Sequence, residues 1–213
     1  MSDELHTTLR NDTPVKPPTF PARPINGGPL DKARPKSGSW ACEPKVNGWR
    51  ALVHVPTSFM WNRRGERLSI KKQFEPALAR LCSTLNAEAF EWADCEALER
   101  RHGIGRGSLI VLDAIPSRPH AATPYSERRR WLEAVLATPI PPASFEPDSI
   151  YLVPSYPAEK TAELWEFLKE CNCGARCDFY EGVVMKRTRA AYPAQLISAD
   201  RETTDWVKHR WHF

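Results

Sequence analysis

Beyond Trp40 the chain is a succession of short strand-like runs broken by three helical patterns, with no regular strand–helix–strand alternation. Ala51–Val55 and Ser58–Asn62 read as a hairpin with Pro56-Thr57 near its turn. Phe90–Leu98, Leu109–Ile115, Ile150–Val153, Gly182–Arg187 and Trp206–Trp211 read as further strands. The helical patterns run from Gln73 to Leu85, with Phe74, Leu78, Leu81 and Leu85 on one face, from a Ser126 cap to Ala137, and from about Glu159 to Glu170. This order predicts an α+β domain with largely antiparallel sheets flanked by helices. The glycines of Gly103–Gly107 lack the Lys-Ser/Thr of a phosphate loop and precede a strand, so they read as a connection between strands.

Residues 1–38 are different in kind. Seven prolines between Pro14 and Pro35 exclude a helix and leave little periodic apolar content. They predict an extended arm, whose Lys16, Arg23, Lys32, Arg34 and Lys36 suit a nucleic-acid backbone, although Asp3, Glu4, Asp12 and Asp31 dilute the charge. Residues 39–213 then form one domain, with 41% hydrophobic residues and eight Trp to fill its core. A net charge of +4 permits a polyanionic partner without requiring one. The first ten residues lack the apolar core of a signal, and no run is long enough to span a bilayer, so a soluble cytoplasmic protein with reduced thiols is expected. Cys171, Cys173 and Cys177 are close enough in sequence to suggest zinc, but their spacing is not that of a CxxC knuckle.

The residues that point to chemistry begin with Lys45-Val46-Asn47-Gly48-Trp49-Arg50, a lysine and an arginine either side of a glycine turn. A lysine in an enclosed turn is a candidate covalent nucleophile, and an arginine beyond it suits a phosphate or ribose. Arg63 and Arg64 sit at a second turn. Asp94 and Glu96 lie two apart on one strand, sharing a face with Phe90 and Trp92, and carboxylates there call for a cation or a ligand hydroxyl. Strict alternation puts Glu181 and Lys186 on opposite faces of their strand, so a shared site requires a kink at Gly182. Lys208 and Arg210 share a face of the last strand.

The series KVNGWR, NRRGE, DCE, VLDAI, EGVVMK and WVKHR resembles, in order and spacing, motifs I, Ia, III, IIIa, IV and V of the covalent nucleotidyltransferases. Within that superfamily EPK and EGVVMK are most similar to the ATP-dependent DNA ligases, and Glu127–Leu132 resembles the RR-xx-L helix that follows motif IIIa in them. The likeness covers about residues 39 to 213 and implies an ATP-grasp-like nucleotidyltransferase domain. By motif position, Lys45 would carry AMP from ATP as a phosphoramidate, and Glu43 would accept from the adenine amino group. Arg50 and Arg63 would contact the ribose and the 5′-phosphate of a nick, and Glu96 the ribose hydroxyl. Leu112 would pack on the base, and Lys186 and Lys208 would contact the α-phosphate. Glu96 and Glu181 would hold Mg²⁺. The implied partner is nicked duplex DNA, sealed between a 3′-hydroxyl and a 5′-phosphate. A lysine attacks only as the free amine, which neighbouring cations favour.

Three features depart from the resemblance. Asn47 stands where most members carry Asp. Leu112 stands where an aromatic stacks on adenine, which gives less contact area and no π contact. The sequence ends three residues after Arg210, before the OB-fold domain and its motif VI. A partner protein supplying that function, partial substitution by the arm, or slow turnover would each meet the departure. An RNA ligase, a guanylyltransferase and a catalytically silent nucleic-acid-binding relic are the alternatives. An NAD-dependent ligase is disfavoured by the short arm.

Overall fold

The computed structural model describes residues 23–30, 39–98, 103–117, 122–138, 145–193 and 202–211. The described strands are β1 (Arg23–Asn26), β2 (Trp40–Val46), β3 (Trp49–His54), β4 (Phe59–Trp61), β5 (Phe90–Ala97), β6 (Leu109–Pro116), β7 (Ile150–Leu152), β8 (Tyr156–Pro157), β9 (Tyr180–Arg187) and β10 (Glu202–Arg210). The α-helices are α1 (Glu75–Thr84), α2 (Tyr125–Glu133) and α3 (Thr161–Ala175). The strands form two five-stranded sheets, ordered β1-β10-β9-β2-β8 and β4-β3-β5-β6-β7. Most pairings are antiparallel, as expected, while β1 with β10 and β6 with β7 are parallel.

The turn after Lys45 does not close a hairpin. Strand β2 pairs with β8 and β9 in the first sheet, whereas β3 pairs with β4 and β5 in the second. Asn47 and Gly48 therefore carry the chain from one sheet to the other. Asn47 is pinned there by its backbone N–H on Phe179 O and its Nδ2 on Asp178 O, at 2.9 and 3.1 Å. An aspartate cannot donate the second of these bonds.

The second sheet is covered by α1, which buries Leu78 and Leu81, with Phe74 and Leu85 at its two ends, against Ala51, Val53, Ala93, Cys95 and Val111. Each such side chain contributes roughly 1.5–3 kcal/mol. A 3₁₀ turn over Ser69–Phe74 delays α1 to Glu75, with Pro76 in its first turn, where the missing N–H costs nothing. The first sheet packs Cys42, Val183 and Met185 against Leu164 and Leu168 of α3.

Three local expectations are corrected. Helix α2 starts at Tyr125, and Ser126 makes no capping bond. Its first N–H groups are instead satisfied from outside the helix, Tyr125 by Ala190 O and Ser126 by Thr188 O. Helix α3 runs on to Ala175, where Asn172 bonds both the N–H and the carbonyl of Tyr180 and ties the helix to β9. Phe90 does not share a face with Trp92, because a register shift between them turns Phe90 into the core under α1.

Part of the segment read as an arm, Arg23–Asn26, is strand β1, paired with β10 at the edge of the first sheet. Residues 1–22 and 31–38, with Lys16, Lys32, Arg34 and Lys36, lie outside the described residues. Among the described residues no helix is long and apolar enough to cross a membrane.

Candidate active site

A cavity of about 850 Å³ collects residues from both sheets and from all six motif segments of the sequence. Glu43, Lys45, Arg50, Arg63, Asp94, Glu96, Leu112, Glu181, Lys186, Lys208 and Arg210 all line it.

Lys45 ends β2, and its Nζ lies 2.9 Å from Glu181 Oε2, which also accepts from Arg210 Nε at 3.0 Å. Glu181 reaches this position through a bulge. Lys45 pairs with Gly182 and Val46 with Tyr180, so Glu181 is the unpaired extra residue of β9. Gly182 has φ +146°, and a Cβ there would stand 2.0 Å from His209 O. The kink required at Gly182 is present, and Glu181 and Lys186 both line the cavity.

Gly48 holds the other side of the lysine turn. Its N–H donates to Glu96 Oε1 at 3.0 Å, and a Cβ would come within 2.8 Å of Ala97 O. Burial pushes the Glu96 carboxyl up to about 7, with Glu181 adding to the rise and Lys45 and Arg50 opposing it. Two interacting carboxylates facing one space suit a divalent cation that takes its remaining ligands from phosphates and water. Among the described residues no group of three or more His, Cys, Asp or Glu is placed to hold a metal ion, Cys171, Cys173 and Cys177 included.

Arg50 grips Asp94 with both arms of its guanidinium, at 2.9 and 2.6 Å, and Tyr192 donates to the same carboxylate at 2.7 Å. Arg63 and Arg64 are left exposed on a turn that Asn62 closes by accepting the N–H groups of Arg64 and Glu66 on its side-chain oxygen. Lys208 is half-buried. Burial, then Arg210, Arg23 and Lys45, push its amine below the usual lysine value, opposed by Glu202.

The opposite end of the cavity is a buried polar network. Lys186 Nζ lies 2.8 Å from Glu43 Oε2 and donates to Leu112 O at 2.6 Å, between the faces of Tyr125 and Trp206. Tyr125 Oη donates to Glu43 Oε1 at 2.5 Å. Burial raises the Glu43 carboxyl, against the pull of Lys186 and Arg129. Beside the network Arg128 and Asp113 form a two-pronged buried pair at 2.9 and 2.7 Å. Burial pushes Asp113 up, but Arg128 outweighs it and holds the carboxyl below its ordinary value.

No protein-family model matches the chain, and no curated protein matches it in sequence. Solved structures do match in shape. The ligase domain of LigD from M. tuberculosis superposes with a TM-score of 0.61 at 21% identity, over 90% of this chain and 59% of that one. A mycobacterial DNA ligase D complexed with ATP and MES gives 0.56 at 20% identity, over 90% and 60%. A Chlorella virus DNA ligase-adenylate gives 0.55 at 12% identity, over 91% and 68%.

The chain shares the fold of these ligase structures. It spans about 60% of the length of the mycobacterial ligases it matches. Within this fold every site residue expected from the motifs lies on the cavity, and the structure supplies their partners. Asp94 fixes Arg50, Tyr125 and Arg129 hold Glu43, and Arg23 enters from β1. The two-residue spacing of Asp94 and Glu96 signals the first. Arg23 is legible only as one cation of an arm, and Tyr192 carries no local signal, because it reaches Asp94 through a long-range contact.

Proposed function

We propose that this chain is the nucleotide-activating domain of an ATP-dependent DNA ligase that seals 3′-hydroxyl/5′-phosphate nicks. The observation that carries the reading is the gathering of all six motif segments on one cavity around Lys45. The neutral Lys45 amine attacks the α-phosphorus of ATP. A P–N bond forms, the Pα–O bond to the β-phosphate breaks, and pyrophosphate leaves. Glu181, 2.9 Å from Nζ, is the nearest base for the released proton. Lys208 and Arg210 line the cavity with Lys45 and would neutralise negative charge on the transferring phosphoryl group, and positioning with neutralisation is most of what such a transfer needs. Glu96 and Glu181 are the carboxylates suited to Mg²⁺, which supplies further neutralisation of phosphate charge when bound.

Glu43 and Lys186, with Leu112 beside them, form the end that would receive the base. Lys186 reaches an α-phosphate only by loosening its contacts with Glu43 and Leu112 O. The 5′-phosphate of a nick then takes AMP from Lys45, and the 3′-hydroxyl displaces AMP to close the strand.

The test is incubation with Mg²⁺ and α-labelled ATP, GTP or NAD⁺, followed by a denaturing gel. A covalent adduct from ATP that is absent in Lys45→Ala supports the reading. An adduct from GTP alone, or none from any nucleotide, overturns it. Sealing of nicked DNA compared with nicked RNA then decides the polynucleotide.

A further inference from the structure

Trp49 differs from every other tryptophan of the chain. It is 40% exposed and lines the cavity. Trp61 and Trp92 meet edge to face, as do Trp165 with Trp211 and Trp131 with Phe90; Trp40 and Trp206 lie under the cations of Arg187 and Lys186. No ring or cation among the described residues covers Trp49 in this way. Its backbone is nevertheless rigid. Trp49 opens β3 opposite Ala97, directly after Gly48, which is clamped by Glu96. A large flat apolar side chain thus projects from a strand-paired backbone, partly in water, at the mouth of a polar cavity.

The surroundings specify its occupant. Arg63, Arg64, Lys208, Arg210 and Arg23 line the same cavity, so a ligand arriving there meets cations fit for phosphates beside one aromatic face. Alternating phosphates and flat bases are the chemistry of a polynucleotide strand, and cationic grooves with aromatic platforms hold single strands by stacking.

We propose that Trp49 is a stacking platform for an unpaired nucleobase of the polynucleotide at the cavity mouth. The choice of a polynucleotide rests on the ligase reading; the exposed, unstacked indole does not. Among the described residues no hydrogen bond, ion pair or ring contact joins the Trp49 side chain to Lys45 or to the buried Glu43 network, so its contribution is assigned to strand binding.

The full chain is titrated with single-stranded oligo-dT of about a dozen nucleotides, matching the usual reach of such grooves, and separately with a nicked duplex, following tryptophan emission. The wild type is expected to bind with quenching. Trp49→Phe retains affinity within about threefold but loses most of the quenching, because the reporting indole is gone. Trp49→Leu, apolar but not aromatic, weakens binding about 5- to 150-fold, the usual range for losing one stacked base. Thermal melts confirm that both variants fold. Wild-type affinity in Trp49→Leu, or full quenching in Trp49→Phe, overturns the proposal. Loss confined to the nicked duplex overturns the unpaired-base assignment. Labelling of the wild type by ATP reads the ligase reaction separately, so a chain that binds strands through Trp49 without forming an adduct refutes that reaction and not this platform.

Discussion

Lys45 Nζ and Glu181 Oε2 meet at 2.9 Å because Glu181 is the residue that its strand does not pair. The bulge depends on Gly182, whose φ of +146° and 2.0 Å clearance to His209 O admit no Cβ. Gly182→Ala forces β9 away from β10 and withdraws Glu181 from the lysine. The expected loss is about 2 kcal/mol or more, which lowers the melting temperature by roughly 4–8 °C for a chain of this size. A thermal melt indistinguishable from wild type would show that the bulge is not held by this glycine.

How much of this was legible in the sequence depends on the range of the contact. The alternation of β9 showed that Glu181 and Lys186 need a kink to share a site, and a glycine stood where one was required. The apolar spacing of Phe74, Leu78, Leu81 and Leu85 gave α1 and its core face. The bulge in β5 that separates Phe90 from Trp92 is written in no local pattern, since periodicity assumes an unbroken strand. Ser126 looked like a cap because hydroxyls usually fill that role, yet the backbone of Thr188 and Ala190 reached the helix first. Strand β1 was hidden among prolines. It forms only because the edge of β10 is there to pair with it.

Arg128 and Asp113, both buried, tie helix α2 to the second sheet. Arg128 also donates to Thr123 O and Ala190 O, and so holds two loops. Arg128→Leu leaves Asp113 buried and uncompensated, at an expected cost of about 3–5 kcal/mol in urea unfolding. Arg128→Leu combined with Asp113→Leu should recover part of that loss, because no buried charge remains. A double variant as unstable as the sum of the two single variants would contradict the pairing.

Glu96 gives the fold a pH dependence. Burial lifts its carboxyl from 4.5 to about 7. Between those values the native state holds a proton that the unfolded chain has released. Stability from this group is therefore greatest below about pH 4.5, declines as pH rises through 7, and is level above that. The decline is on the order of 1–3 kcal/mol. Glu96→Gln keeps an acceptor for the Gly48 N–H and removes the titration. Its unfolding free energy should lack this slope and exceed that of wild type at pH 8. An unchanged slope in Glu96→Gln would assign the titration to another group.

Leu112 tests the proposal that its end of the cavity receives the base. It lies on β6, lines the cavity and is half-buried, and its carbonyl accepts from Lys186 Nζ at 2.6 Å. Substitution of the side chain leaves that backbone bond in place. An aromatic ring at this position adds a flat face that leucine lacks, and aromatic stacking contributes about 0.5–1.5 kcal/mol beyond area burial. Leu112→Phe is therefore expected to bind ATP about 2- to 13-fold more tightly by calorimetry. The same substitution should leave the affinity for inorganic triphosphate, which has no base, at the wild-type value. Equal tightening for both ligands would mean that the ring acts through the phosphate end, and an unchanged affinity for ATP would place the base elsewhere in the cavity.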